Sequence, residues 1–199
     1  MDEELIKKCD KSTAVKFCPA NNADIDNIVK LDREVFQTKD LVNEVVFKSW
    51  QKKNKRIFTV QFHKGEFSGY YALLPLKSGI LKAFIDGDIR EIDVRAEDIF
   101  DDVEMYNSEG LYLYSIVARK KGTKISSELV KQVSRTLDEL IENGNLTKIF
   151  ATAATPDGER LLKRLEFSQI RFREQRRDNH PLYEKKVDKR TDKVMKGTF

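Results

Sequence analysis

The chain has 199 residues and a mass of 23.1 kDa, a size that suits one domain or one domain with a short appendage. Its net charge of +4 is small beside its 33 acidic residues, so the charge balance does not favour nucleic-acid binding as the primary role. No apolar run approaches the roughly 20 residues that a membrane-spanning helix needs, so we expect no membrane association.

Cysteines and histidines are few, and their spacing suggests neither a disulfide framework nor a metal site. Cys9 and Cys18 lie near one end, behind a start that lacks the apolar core of a signal peptide. This usage is typical of the reducing cytosol, so we expect Cys9 to be a free thiol, Cys18 to be a small core residue and the protein to be cytoplasmic. His63 and His180 are far apart and lack ligand spacing, so no metal is expected.

The first part of the chain predicts one strand, two helices and a hairpin. Asn22 can cap the first helix, and Lys64-Gly65 can form the hairpin turn. The predicted elements are a charged leader at 1–12, a strand at 13–18, helices at 23–37 and 39–52, and strands at 56–63 and 66–74.

An acidic insert follows at about 76–110, with short helical segments predicted near 78–85 and 95–101. Its acidic residues are interleaved with apolar ones but lack the spacing of a calcium-binding loop. Two interpretations are open. The insert could cover an active site and select a cationic amine, or it could be a connection whose acidic side chains face water.

Residues 111–142 carry the strongest functional signal. A β-rich run at 111–118 leads into a basic loop around Gly122, and Ser126 then opens an amphipathic helix predicted at 125–142. A helix N-terminus presents free N–H groups and a positive dipole end, and the lysines of the loop add charge. The pattern predicts a site for a phosphate-bearing ligand.

The last part alternates strands with one helix. Thr155, followed by Pro156 and Asp157, is a strong helix start, because a hydroxyl cap, a proline and an acid occupy the positions that favour them. Strands are predicted at 148–153, 168–175 and 182–187, and a polar basic tail at 188–199. We therefore expect a single domain over 13–187.

Two segments resemble motifs of the GNAT superfamily of acyl-CoA-dependent N-acetyltransferases. The loop at 121–126 resembles the superfamily's CoA-binding loop, with Lys124 in place of the first glycine. The segment 155–167 resembles its later helix motif, with Thr155 replacing asparagine and Leu162 replacing tyrosine. The predicted element order is also that of the superfamily.

This resemblance implies a fold and an activity. The fold would be α/β, with a mixed, mostly antiparallel twisted sheet and helices on both faces. The activity would be the transfer of an acetyl group from acetyl-CoA, as co-substrate, to a primary amine of a small molecule or protein. The residues expected to hold CoA are Ile116, Val117, Ala118, Lys121, Gly122, Thr123, Lys124, Ile125, Ser126 and Thr155.

The resemblance identifies the catalytic residues less directly than the residues that hold CoA. Leu162 stands where many family members have a tyrosine acid, so that role falls to other groups. Glu109, close to the strand at 111–118, is the expected base, with Glu104 as an alternative. Tyr112 and Tyr114 share one face of that strand and are the candidate hydroxyl donors, although tyrosine is a common strand residue and sheet packing alone would explain both.

Other functions remain open beside catalysis. Leu162, Lys124 and Thr155 replace family residues, which is compatible with a GNAT-fold protein that binds CoA or a partner without turnover. A nucleic-acid-associated module using the arginines near the C-terminus has less support, because no nucleic-acid motif is present. A homodimer is also open.

Overall fold

The computed structural model describes residues 15–36 and 41–187. They form strands and helices in the order predicted from the sequence. The strands are β1 (Val15–Pro19), β2 (Phe58–His63), β3 (Glu66–Leu74), β4 (Gly110–Ala118), β5 (Lys148–Thr152), β6 (Ser168–Arg171) and β7 (Leu182–Lys186). The α-helices are α1 (Asn22–Phe36), α2 (Glu44–Lys53), α3 (Ser78–Asp86), α4 (Lys124–Asn143) and α5 (Pro156–Arg164).

The strands form one seven-stranded sheet in the order β1-β2-β3-β4-β5-β7-β6. Within the described residues, five pairings are antiparallel, and β4 pairs with β5 in parallel. The prediction of a mixed, mostly antiparallel sheet is confirmed, and its parallel neighbours are the strands at 111–118 and 148–153 of the predicted order.

Helices cover both faces of the sheet and create two apolar cores. On one face, α1, α2 and α3 pack over a core that contains Trp50, Phe47 and Tyr112. On the other face, α4 packs through four buried residues spaced for one helix face, and α5 adds Leu162. The four residues of α4 are Leu129, Val133, Leu137 and Leu140, as the sequence pattern predicted.

Several predicted boundaries and one predicted face are wrong. The cap of α1 is Asn21 rather than Asn22, since Asn21 Oδ1 accepts the N–H groups of Ala23 and Asp24 at 2.8 and 3.1 Å. The apolar residues of the predicted helix at 39–52 place Val45 on its apolar face, but Val45 of α2 is 77% exposed. The strand predicted at 168–175 ends at Arg171, and the helix predicted near 95–101 is a single 3₁₀ turn at 96–98.

A β-bulge in β4 opens the sheet at its centre. Leu113 is paired with Leu73 of β3, but Ser115 is paired with Ala72, so Tyr114 is an extra residue without an opposite partner. A bulge bends its strand and increases the local twist. Pairing with β5 stops at Leu113 and Ala151, and within the described residues β4 has no strand partner on that side from Tyr114 onward. The two parallel strands therefore diverge at their carboxyl ends.

The cysteine expectation needs a correction. Cys18 is partly buried against the larger core, as predicted. It is disulfide-bonded, so the expectation that the cysteines form no disulfide is wrong for this residue. Cys9, the leader 1–12 and the tail 188–199 lie outside the described residues.

The cytoplasmic location stays a prediction. No helix in the described ranges has the length and apolar character needed to span a membrane.

Candidate active site

A cavity of about 750 Å³ lies where β4 and β5 diverge. This volume is in the range of small-molecule sites. One wall is Leu113 together with residues 114–118, the half of β4 that is not paired with β5. The opposite wall is Ala151 and Thr152 of β5 with the start of α5. The end of α1 closes the cavity on one face, and the loop before α4 borders it on the other. The strand divergence thus exposes backbone groups of β4 to a possible ligand.

The loop before α4 is ordered by a reciprocal cap. Thr123 Oγ1 accepts the N–H of Ser126 at 3.2 Å, and Ser126 Oγ accepts the N–H of Thr123 at 3.0 Å. The helix begins at Lys124, one residue before the predicted range 125–142. Gly122 has a positive φ of 67°, which a glycine adopts at little cost. The first-turn N–H groups of Lys124 and Ile125 lie beyond the reach of helix carbonyls.

An ion pair joins the two sides of the cavity mouth. Lys121 Nζ lies 2.8 Å from Asp157 Oδ2 in the first turn of α5, and Arg160 contacts the same carboxylate. The Lys121 and Asp157 side chains are 60% and 50% exposed, so this pair contributes little to stability. Lys121, Arg160 and Arg164 all line the cavity and give its mouth a cationic rim.

Glu91, from a 3₁₀ turn in the insert, brings a carboxylate to the wall where the strands diverge. Its Oε1 accepts a hydrogen bond from the Tyr112 hydroxyl on β4 and another from Thr152 Oγ1 on β5 at 3.3 Å. Glu91 lines the cavity, so its partly accessible side chain faces that space. Burial raises the pKa of the Glu91 carboxyl to about 7, against the opposing effect of the Tyr112 hydrogen bond.

The two tyrosines of β4 share one face, as predicted, but they lie in different environments. The Tyr112 hydroxyl is within 2.7 Å of Thr152 Oγ1 and is also bonded to Glu91. Tyr114 lines the cavity, and its ring packs edge-on against Phe47 and Trp50. Burial, followed by the nearby carboxylates, raises both tyrosine pKa values well above 10, so both hydroxyls carry their proton at neutral pH.

A second buried carboxylate lies behind the cavity wall. The Tyr70 hydroxyl donates its proton to Asp32 Oδ1 of α1, and its oxygen lies 3.1 Å from the Ser115 hydroxyl. Ser115 lines the cavity. Burial raises the pKa of Asp32 to about 7. The cavity wall therefore contains two carboxyl groups that titrate near neutrality, Glu91 at its surface and Asp32 behind a tyrosine.

The structure brings together most of the residues predicted to hold CoA. Thr123, Lys124 and Ile125 do not line the cavity, although they belong to the bordering loop. Thr123 acts as the helix cap, and the Ile125 carbonyl accepts a hydrogen bond from Gln61 at 2.9 Å. The predicted residues that do line it are Ile116, Val117, Ala118, Lys121, Gly122, Ser126 and Thr155.

The structure separates the predicted base from the cavity. Glu109 is exposed and precedes β4, and its carbonyl accepts the N–H groups of Thr147 and Lys148 at the far end of the strand pair. At about 3.3 Å per residue, Tyr114 is on the order of 15 Å further along the strand. Glu104 is also exposed and lies outside the cavity lining. Neither residue is placed to act on a ligand in the cavity.

The insert contributes to the site through one residue rather than through its overall charge. Of the ten acidic residues at 76–110, Glu91 alone lines the cavity. Others satisfy local partners: Asp93 caps its own turn, and Asp86 pairs with Lys82 and Arg171. In the described ranges, no three His, Cys, Asp or Glu side chains cluster as a metal site would require.

Comparisons with known proteins identify the fold. The GNATL loading domain of CurA from Lyngbya majuscula superposes with a TM-score of 0.64 at 8% identity, covering 87% of this chain and 98% of that domain. A GNAT-family acetyltransferase from Staphylococcus aureus Mu50 gives 0.58 at 11% identity, covering 88% and 100%. The PaiA N-acetyltransferase from Thermoplasma acidophilum, solved with coenzyme A, gives 0.52 at 11% identity, covering 88% and 100%. No family model matches the sequence, and no curated sequence matches it significantly. The chain has the GNAT fold.

Proposed function

We propose that this protein transfers an acetyl group from acetyl-CoA to a primary amine in the cavity between β4 and β5. The observation that carries the proposal is the Glu91 carboxylate, which lies at the point where the two strands of a GNAT fold diverge. Its pKa of about 7 suits a general base at neutral pH, because about half of such a group is ionised there and the anion accepts a proton readily.

The acetyl donor would lie along the unpaired half of β4. Its pantetheine amides would pair with backbone groups of residues 114–118, in the manner of an added strand. Its diphosphate would lie beside Lys121 and the first-turn N–H groups of α4, where charge and the helix dipole favour an anion. The structural neighbour PaiA, solved with coenzyme A, supports this choice of ligand.

Two side chains, together with water, account for the proton steps. Glu91 accepts a proton from the acceptor ammonium, and the neutral amine then attacks the thioester carbonyl carbon. As the new C–N bond forms and the C–S bond breaks, Tyr114 or water supplies a proton to the leaving thiolate, and water takes the second proton from the nitrogen. Tyr112 holds Glu91 in place rather than reacting, because its hydroxyl is bonded to that carboxylate.

The pH dependence of turnover tests this assignment. We expect kcat/KM for an accepted amine to rise up to tenfold per pH unit below pH 7 and to level off above it, as Glu91 loses its proton. The measurement is the release of CoA thiol across pH 5.5–9 with a panel of primary amines. A profile without an inflection between pH 6 and 8 would exclude Glu91 as the base.

A second function is favoured by one observation. The family's tyrosine position is occupied by Leu162, which is buried and lines the cavity, so α5 offers no hydroxyl there. This fits a GNAT-fold protein that binds CoA or a partner without turnover. Acetyl-CoA binding without product from any amine in the panel would favour this second function.

A further inference from the structure

We propose that Arg176 and Asp178, in the turn between β6 and β7, form a buried ion pair that positions and electrostatically tunes Glu91. The Arg176 side chain is 0% exposed and that of Asp178 is 11% exposed. Arg176 Nε and Nη2 lie 3.1 and 2.6 Å from the two carboxylate oxygens, which makes a bidentate pair. The sequence places neither residue in any motif. Their importance for turnover rests on the proposed role of Glu91.

Arg176 is connected to Glu91 through two aromatic rings in contact, those of Phe84 and Tyr112. Its Nη1 donates to the Phe84 carbonyl at 2.6 Å, and its guanidinium carbon lies 4.6 Å from the centre of the Phe84 ring. The Phe84 ring also packs against the ring of Tyr112, whose centroid is 4.4 Å away and whose hydroxyl is bonded to Glu91. Movement of Arg176 would therefore disturb the hydroxyl that orients the Glu91 carboxylate.

Asp178 acts on Glu91 electrostatically, because both residues line the same cavity. The negative charge of Asp178 raises the pKa of Glu91, and the positive charge of Arg176 lowers it. The pair is held rigidly, since Asp178 Oδ1 also accepts the N–H of His180 at 3.0 Å. The other charged or titratable groups facing this region are Tyr112 and Tyr114 of β4, Asp32 of α1, and Arg90 and His180 of the cavity lining.

Two substitutions in the pair should move the Glu91 titration in opposite directions. Asp178→Asn removes a negative charge and leaves Arg176 uncompensated, so the Glu91 anion is favoured and its pKa falls. Arg176→Met removes the positive charge and leaves Asp178 uncompensated, so the Glu91 pKa rises. Each shift should be roughly one unit, the size expected from one close charge. A purely structural role would not give shifts of opposite sign.

The experiment is a carboxyl-detected NMR titration of protein labelled with ¹³C at the glutamate side-chain carboxyl carbon. The Glu91 signal is identified by its loss in Glu91→Gln, and the wild-type midpoint is expected at about pH 7. Arg176→Lys keeps the positive charge and should move the midpoint less than Arg176→Met. Glu159→Gln is the matched control, since it alters an exposed i,i+4 ion pair with Lys163 outside the cavity lining.

The outcomes separate this inference from the proposed function. A lower midpoint in Asp178→Asn and a higher one in Arg176→Met support it. If both midpoints stay within about 0.3 units of wild type, or move in the same direction, the inference is overturned. If Arg176→Met does not fold, the decision rests on Asp178→Asn compared with Arg176→Lys. The titration needs no turnover, so opposite shifts in a protein that acetylates no amine would uphold the inference while the proposed function fails.

Discussion

Replacing Glu91 by glutamine is expected to lower kcat/KM for acetyl transfer by about 10²–10⁴-fold, the range for loss of a general base. Glutamine has nearly the same shape and can still accept a hydrogen bond from Tyr112, but it cannot take a proton from the acceptor ammonium. Acetyl-CoA affinity should change little, because Glu91 lies at the wall of β4 and β5 rather than in the loop before α4. Steady-state kinetics and calorimetry measure the two quantities.

Asp93→Asn is the matched control for this prediction. Asp93 belongs to the same 3₁₀ turn as Glu91, but it caps the Arg90 N–H at 2.9 Å and lies outside the cavity lining. Its replacement should leave turnover within about twofold of wild type, as expected for a surface site. A Glu91→Gln variant that keeps wild-type kcat/KM and the wild-type pH profile would remove Glu91 from the reaction.

Reversing the charge of Lys121 is expected to weaken acetyl-CoA binding by about 10–100-fold. This corresponds to roughly 1.5–3 kcal/mol for a hydrogen bond between charged partners. Lys121 lines the cavity mouth, and glutamate there would repel the ligand's phosphates and also Asp157. Lys124→Glu should have a smaller effect, because Lys124 is exposed and outside the lining, and the double variant should exceed either one. Calorimetric titration at two salt concentrations measures the change.

Lys163→Glu serves as the control for overall charge. Lys163 lies on α5 near the cavity but outside its lining, and it pairs with Glu159 at 2.7 Å. Reversing the charge of Lys163 should leave acetyl-CoA affinity nearly unchanged, apart from a weak effect that added salt removes. Equal losses in Lys121→Glu and Lys163→Glu would mean that the loop before α4 acts only through net charge.

The sequence predicted those parts of the fold that depend on local pattern. Leu129, Val133, Leu137 and Leu140 repeat at helical spacing, so α4 and its buried face followed from periodicity. Thr155 with Pro156 fixed the start of α5, because a cap and a proline act within one turn. The phosphate-binding hypothesis likewise rested on adjacent residues of a loop and the following helix.

The candidate base could not be predicted in the same way. Glu91 was one of ten similar acids in the insert, and only the tertiary packing of a 3₁₀ turn against Tyr112 and Thr152 distinguishes it. Glu109 was favoured by closeness in sequence to β4, but a strand extends so far per residue that its two ends face different surroundings. The bulge at Tyr114 arises from pairing with β3, which no local pattern records.

The central claim, that acetyl-CoA lies where β4 and β5 diverge, is tested most directly by mapping backbone amide shifts during an acetyl-CoA titration. We expect saturable shifts in the amides of residues 114–118, in the loop at 119–126 and in the first turn of α5. Amides of β1 and β6, at the two edges of the sheet, should move little. Absence of saturable shifts at millimolar acetyl-CoA, or shifts centred on an edge strand, would contradict the account.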